Sequence, residues 1–221
     1  MSKKVGVILS GCGVYDGSEI HESVITLLAL NRAGADVTVM APDKNQMHVI
    51  NHQTGEVAED ESRNIMVESA RIARGPVRDV ATVQASEFDG LVLPGGFGAA
   101  KNLCDFAING ADCEIDHDVA SLILEMHNSE KPVLAMCIAP AVAAKALTDG
   151  GVNPTITIGN DVDTVAGLKK LGAIHQEQPV EGVTIDATNK VITTPAYMLG
   201  PEIKDIATGI EKAIDGLMKM L

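Results

Sequence analysis

The residue with the clearest chemical potential is Cys137, which stands between the apolar run PVLAM and the helical pattern IAPAVAAKAL. A cysteine at a tight turn from a strand into a helix holds its sulfur out at the edge of the sheet. The helix N-terminus favours the thiolate, and the N–H of Ile138 is a candidate oxyanion donor. A cysteine among Met, Ala and Ile is also commonly a small buried hydrophobic residue, and spacing alone leaves both interpretations open.

Two carboxyl groups, Glu19 and Glu22, lie three residues apart at the start of a predicted helix. We expect them to lie away from the apolar stripe of that helix, which consists of Ile20, Val24, Leu27 and Leu28. A carboxyl group near the nucleophile could move a proton if burial raised its pKa. Acidic residues also stabilise a first helical turn as solvated charges, and the pair taken alone favours that simpler interpretation.

A glycine turn, PGGFG, follows a predicted strand and contains Gly95 and Gly96. Consecutive glycines let backbone N–H groups converge on a developing negative charge. The turn is neither a Walker A loop nor a G-x-G-x-x-G fingerprint, so a plain turn remains the alternative. Only one pair of histidines, His48 and His52, has an H-x-x-x-H spacing, and it lies in a polar stretch. The four cysteines form no C-x-x-C pair, so we expect no metal and no cofactor.

The elements that must position these residues alternate between short apolar strands and helices along the chain. Strands are predicted at 4–9, 36–41, 88–93, 132–136 and 155–158, with a hairpin at 183–186 and 190–194. Helices are predicted at 18–33, capped by Asp16 or Ser18, and at 61–74, 118–130, 140–147, 165–171 and 201–221. Strands that are apolar on both faces predict a flavodoxin-like α/β three-layer sandwich, with a mostly parallel sheet between helices.

The length of 221 residues suits a single domain over 1–221, and the polar stretch 44–60 is predicted to be an inserted loop or small hairpin. The net charge of −13 argues against nucleic acid and anionic membranes, since both attract Lys and Arg. Only five aromatic residues are present, so we expect a site without aromatic walls. The short apolar run near the N-terminus does not resemble a signal segment, which predicts a cytoplasmic protein.

Five segments together resemble a known superfamily. They follow one another in the order seen in PfpI-like proteins of the class I glutamine amidotransferase-like fold, and most resemble the ElbB-type glyoxalases, also called enhancing-lycopene-biosynthesis proteins. The segments are VGVILSGCGVYDGSEIHE, ESVITLLALNRAGADVTVMAPD, DGLVLPGGFGAAKNL, KPVLAMCIAPA and KVITTPAYMLG. The resemblance spans nearly the whole chain, and the stretch INHQTGE fits the same family.

The resemblance implies an elbow cysteine at Cys137 and a first-helix carboxyl group bonded to its sulfur. An ungapped alignment of ESVITLLALNRAG places that carboxyl group at Glu22, with Glu19 as the fallback. Backbone N–H groups of the turn at Gly95 and Gly96, together with Ile138, would bind an oxyanion. The family also implies a homodimer.

The sequence departs from the superfamily where many members have a histidine. The region after the nucleophile helix reads TIGNDVDT, and the C-terminal region reads TTPAYM, so the amidotransferase triad is absent. The implied activity is a glutathione-independent glyoxalase that acts on a small dicarbonyl such as glyoxal or methylglyoxal. The alternative is a non-catalytic or weakly catalytic regulatory or redox-sensing module in isoprenoid or stress metabolism.

Overall fold

Strands and helices alternate along residues 2–200 and 202–221, which the computed structural model describes. The strands are β1 (Lys4–Ile8), β2 (Asp36–Ala41), β3 (Ile50–Asn51), β4 (Glu56–Val57), β5 (Arg78–Asp79), β6 (Gly90–Leu93), β7 (Val133–Met136), β8 (Thr155–Ile156), β9 (Ile174–His175), β10 (Thr184–Asp186) and β11 (Val191–Thr194). The α-helices are α1 (Ile20–Arg32), α2 (Ile65–Ala73), α3 (Phe106–Asn109), α4 (His117–Asn128), α5 (Pro140–Asp149), α6 (Val162–Leu171) and α7 (Ile203–Met220).

A seven-stranded sheet forms the middle layer, in the order β10-β11-β7-β6-β1-β2-β5. Its neighbouring strands are parallel except for β10, which pairs antiparallel with β11. The predicted α/β class and the predicted C-terminal hairpin are therefore confirmed. The polar stretch 44–60 contains the small antiparallel hairpin β3–β4, while β8 and β9 form a separate parallel pair.

The sheet divides the core into two layers because successive strand side chains point to opposite faces. In β7, Val133 and Ala135 pack with residues of α4, α5 and α6 on one face. Leu134 and Met136 pack on the other face with residues of α1 and α7. The four strand residues are buried, which explains why this strand reads as a continuous apolar run.

The first helix buries a different face from the predicted one. Of the four residues of the predicted core stripe, Ile20, Val24 and Leu28 are 43%, 48% and 44% exposed, and only Leu27 packs against the core, partly buried. The buried face carries the polar residues Glu22, Ser23 and Thr26 together with Ala29 and Leu30. The predicted face is wrong because this helix buries the polar residues Glu22, Ser23 and Thr26, contrary to the ordinary rule that apolar residues mark the core.

Other differences concern the ends of elements. The N-cap of α1 is Glu19, whose carboxylate accepts a hydrogen bond from the N–H of Glu22, so the predicted caps Asp16 and Ser18 are wrong. The side chain of Asp16 instead accepts from the N–H of Ile50, and Ser18 Oγ accepts from the N–H of Ser10. The predicted start of the last helix at Pro201 lies outside the described residues.

The remaining predicted elements are present with shifted ends, apart from the strand at 36–41, which matches β2. The helix predicted at 61–74 begins at Ile65 because Asn64 caps it through the N–H of Val67. The helix predicted at 165–171 begins earlier, at Val162, because Asp161 caps it through the N–H of Thr164. Among the described residues, no helix combines the length and apolar character needed to span a bilayer.

The orientation of α1 predicts a difference between two leucines of that helix. Leu30 is fully buried and Leu28 is 44% exposed. Leu30→Ala should lower the free energy of unfolding by about 2–5 kcal/mol through lost burial and a cavity, whereas Leu28→Ala should cost less than about 1 kcal/mol. Urea unfolding followed by circular dichroism measures both. An equal loss for Leu28→Ala would show that the apolar stripe is covered in solution.

Candidate active site

The carboxyl ends of four neighbouring strands meet at one edge of the sheet, as ligand sites of open parallel sheets do. Cys137 follows β7 directly and adopts φ +59°, a left-handed conformation that a non-glycine residue adopts only at a cost. Its N–H donates to the carbonyl of Thr194 at the end of β11, at 3.0 Å. The strained turn therefore gives Cys137 the elbow geometry that the sequence suggested.

Gly95 approaches the cysteine so closely that no side chain fits there. A Cβ atom on Gly95 would clash with the Cβ atom of Cys137 and would lie 2.8 Å from Glu22 Oε2. The next residue, Gly96, adopts φ +94° and packs against the backbone of Gly17 and Glu19. The two glycines are therefore needed for close approach as well as for the turn.

The carboxyl group of Glu22 is fully buried between the turn, the cysteine and the segment after β11. Its Oε2 accepts from the N–H of Gly95 at 2.9 Å, and its Oε1 accepts from the N–H of Tyr197 at 3.2 Å. The same carboxyl group lies beside the side chain of Cys137 and interacts with its thiol. Glu22 therefore reaches the cysteine from the first helix, as the family resemblance implies.

Glu19 takes part in the same edge of the sheet but in a different role. Its carboxylate accepts from the N–H of Glu22 at 2.7 Å, which caps α1. Its own N–H donates to the carbonyl of Gly95 at 2.9 Å. The described contacts thus place Glu19 beside Glu22 and give it no hydrogen bond to Cys137.

Burial shifts the proton equilibria of the cysteine and the carboxyl group in the same direction. Burial, and then the nearby charge of Glu19, raise the pKa of Glu22 from 4.5 to about 7. Burial, and then the charge of Glu22, raise the pKa of the Cys137 thiol well above its ordinary value. The expectation of a helix-stabilised thiolate is therefore wrong for the free site, because desolvation outweighs the helix N-terminus.

Two backbone N–H groups act on the thiol of Cys137. Those of Gly96 and Ile138 both lower the pKa of the thiol without reversing the effect of burial. The prediction from the sequence was that these N–H groups bind an oxyanion of the substrate. In the structure they act on the thiol itself, where they stabilise negative charge that forms on the sulfur during a reaction.

The segment TTPAYM supplies contacts that the sequence did not predict. The segment was noted only because it lacks the histidine of the amidotransferase triad. Besides the backbone contact with Glu22, the Tyr197 hydroxyl lies 2.7 Å from Nδ1 of His21. Ala196, with φ +44°, turns the chain so that the N–H of Tyr197 faces α1. The position of this segment after an apolar strand was the signal that could have revealed it.

A pocket with a volume of about 400 Å³ opens beside Ile138. Phe97 and Phe106 form part of its wall. Cys137, Glu22, Gly95 and Gly96 do not line this pocket, so the expectation of a site without aromatic walls stays a prediction. Within 2–200 and 202–221, no group of three or more His, Cys, Asp or Glu side chains could hold a metal ion.

Comparison with protein families gives a match over residues 12–181 to the model described as the DJ-1/PfpI family. The chain belongs to the DJ-1/PfpI family. The matched range includes both Glu22 and Cys137, so the contact described above lies within the family region.

Two named relatives and one solved structure are similar over nearly the whole chain. The ES1 protein homolog, mitochondrial, of Rattus norvegicus is 43% identical over 98% of this chain and 84% of its own length. The human glutamine amidotransferase-like class 1 domain-containing protein 3, mitochondrial, is 43% identical over 98% of this chain and 83% of its own length. An Ehrlichia chaffeensis isoprenoid biosynthesis protein with an amidotransferase-like domain is 37% identical, covers 99% of both chains and has a TM-score of 0.92.

These relatives correct the predicted compartment. The rat and human proteins are both named as mitochondrial, which contradicts the cytoplasmic location expected from the sequence. That expectation rested on the apolar run near the N-terminus, and the residues of a folded core carry no information about compartment.

The raised pKa of Glu22 predicts how stability depends on pH. A folded-state pKa of about 7 against an ordinary value of 4.5 means that the folded protein prefers the protonated carboxyl group. The stabilisation is present below pH 4.5 and is lost as pH rises through about 7, with a total of about 3 kcal/mol. Urea unfolding of the wild type and Glu22→Gln between pH 4.5 and 8 should show this loss only in the wild type. Parallel curves would contradict the raised pKa.

Proposed function

We propose that this protein is a glutathione-independent glyoxalase of the ElbB type, which converts glyoxal to glycolate or methylglyoxal to lactate. The observation that carries the proposal is the contact between Glu22 and the Cys137 side chain, within a cradle of two N–H groups. A buried carboxyl group with a pKa of about 7 can both accept and return a proton near neutral pH. That capacity is what an internal proton transfer on an aldehyde adduct requires.

In the first step, the Cys137 sulfur attacks the aldehyde carbon while Glu22 takes the thiol proton. Glu22 passes that proton to the carbonyl oxygen, so a hemithioacetal results and Glu22 is again a carboxylate. Because the resting thiol is neutral, the carboxylate has to act as the general base during attack. The N–H groups of Gly96 and Ile138 stabilise the charge that forms on sulfur before the new bond is complete.

In the second step, Glu22 removes the proton from the former aldehyde carbon, which gives an enediolate. Return of that proton to the neighbouring carbon, with transfer of the hydroxyl proton from the former aldehyde oxygen to the former ketone oxygen, gives a thioester of a 2-hydroxy acid. Water then cleaves the thioester, which releases the acid and restores the thiol. The reaction adds one water in total and needs no oxidant or reductant. Two side chains and the backbone N–H groups are therefore sufficient for all of its steps.

Three of the residues predicted for the site thus have separate proposed roles. Cys137 is the nucleophile, Glu22 is the proton shuttle and Glu19 caps the helix that presents Glu22. Gly95 holds the carboxyl group through its N–H and leaves room for the sulfur.

The name of the Ehrlichia relative supports a setting in isoprenoid metabolism for this chain as well. A redox-sensing role for Cys137 receives less support, because sensor cysteines are accessible and have a low pKa, whereas Cys137 is 7% exposed with a raised pKa. The homodimer stays a prediction, and coverage of the exposed stripe of α1 in solution would support it.

Cys137→Ala should abolish lactate formation from methylglyoxal, because no other described side chain occupies the position of the sulfur. A lactate assay coupled to NAD reduction measures the rate, and circular dichroism checks the fold. Cys12→Ala is the matched control, since Cys12 is a partly exposed cysteine outside the described contacts of Glu22. Turnover by Cys137→Ala at the wild-type rate would overturn the mechanism.

Glu22→Gln should lower kcat/KM by about 10²-fold or more, because an amide cannot carry the proton. Glu19→Gln should change it by less than about tenfold, since an amide oxygen can still accept the capping hydrogen bond. In the wild type, kcat/KM should rise with pH through about 7 as the Glu22 carboxylate forms. A larger loss for Glu19→Gln would transfer the shuttle role to Glu19.

A further inference from the structure

The short segment 194–197, which follows β11, contacts both the cysteine and the carboxyl group of the site. The carbonyl of Thr194 accepts from the N–H of Cys137 at 3.0 Å. The N–H of Tyr197 donates to Oε1 of Glu22 at 3.2 Å. Since these two hydrogen bonds start only three residues apart, the conformation of the segment governs how the carboxyl group is placed relative to the cysteine.

The backbone of this segment is strained. Ala196 is fully buried and adopts φ +44°, a left-handed conformation that favours glycine. Such a conformation persists only where its surroundings hold it in place. The N–H groups of Leu199 and Gly200 both donate to the carbonyl of Ala196 at 3.1 Å. These bonds close the turn, but they lie within it and do not connect it to α1.

The side chain of Tyr197 connects the turn to α1. Its hydroxyl lies 2.7 Å from Nδ1 of His21, and the two rings are tilted with their centroids 5.8 Å apart. His21 directly precedes Glu22 in the helix. Two consecutive residues of α1 therefore contact the same tyrosine, one at its hydroxyl and the other at its N–H.

The hydrogen bond between Tyr197 and His21 is compatible with both charge states of the imidazole. Burial, and then the charges of Glu19 and Glu22, raise the pKa of the Tyr197 hydroxyl, so the hydroxyl keeps its proton near neutral pH. It can donate to the free Nδ1 of a neutral ring, and it can accept from a protonated Nδ1. The contact therefore persists as Glu22 titrates around pH 7.

We propose that His21 is a positioning residue of the site, which holds the Tyr197 N–H on Glu22 through the Tyr197 hydroxyl. Among the described residues, Tyr197 is the one hydrogen-bond partner of the His21 side chain. The ionisable groups that act on Glu22 are Glu19 on the same chain segment, Cys137 after β7 and Tyr197 itself. Because an N–H bonded to a carboxylate favours its charged form, loss of the contact with His21 should raise the pKa of Glu22 further.

A matched pair of substitutions separates positioning from the charge of the imidazole. His21→Asn and His21→Leu introduce side chains of similar size, and both remove the ring and its charge. Asparagine keeps a hydrogen-bonding group close to the position of Nδ1, whereas leucine has none. His21 is exposed, so both variants should fold, and circular dichroism checks this.

A second pair tests the tyrosine. Tyr197→Phe removes the hydroxyl and leaves the backbone N–H in place. Tyr15→Phe is the control, because Tyr15 is 42% exposed and its contacts with His52 and Lys101 are made by its backbone.

The readout is an infrared titration of Glu22 around pH 7 in the purified protein without substrate. The carbonyl stretch of the protonated carboxyl group disappears as Glu22 ionises, and subtraction of the Glu22→Gln titration isolates this signal. His21→Leu and Tyr197→Phe should raise the midpoint by about 0.5 or more, since hydrogen bonds to charged groups are among the stronger ones. His21→Asn and Tyr15→Phe should leave the midpoint within about 0.2 of the wild type.

The titration does not depend on the proposed glyoxalase function, so the two can fail separately. An unchanged midpoint in both His21→Leu and Tyr197→Phe would overturn the inference. Equal shifts in His21→Leu and His21→Asn would also overturn it, because the effect would then belong to the lost imidazole and not to the hydrogen bond. The expected shifts in a protein that shows no Cys137-dependent turnover of methylglyoxal would support the positioning role of His21 and overturn the proposed function alone.

Discussion

The buried carboxyl group of Glu22 is the constraint on which the rest of the site depends. It joins three separate parts of the chain by accepting from the N–H groups of Gly95 and Tyr197 and by lying beside the side chain of Cys137. A fully buried carboxyl group is costly unless such partners surround it. The glycine turn and the segment after β11 supply these partners.

The orientation of α1 follows from the same constraint. The helix places Glu22 inward, and its apolar residues Ile20, Val24 and Leu28 are consequently exposed. Burial of Glu22, together with the charge of its neighbour Glu19, also raises the pKa of Glu22. The raised pKa suits a group that gives and takes protons near neutral pH. One interaction therefore connects the direction of a helix, the strain at an elbow and the chemistry that we propose.

The elbow and the glycine turn show how a parallel sheet concentrates distant residues. Cys137 and Gly95 are more than forty positions apart in the chain, yet β6 and β7 are neighbours and their carboxyl ends coincide. The Cβ atom of Cys137 occupies the space that Gly95 leaves free. The 7% exposure of Cys137 restricts access to a small reactive group.

The sequence by itself determined the α/β class and the order of the main strands along the chain, because apolar periodicity is a local property. The candidate pair Cys137 and Glu22 came from the resemblance to a family, since the local pattern left both residues open. It misassigned the buried face of α1, since an apolar stripe gives no sign that a polar face is needed inside. Only the tertiary structure decided that Glu22 lies beside the Cys137 side chain and that the N–H of Tyr197 donates a hydrogen bond to Glu22. It also decided that burial keeps the thiol neutral. Those outcomes depend on desolvation and on contacts between segments far apart in the chain, which no local pattern records.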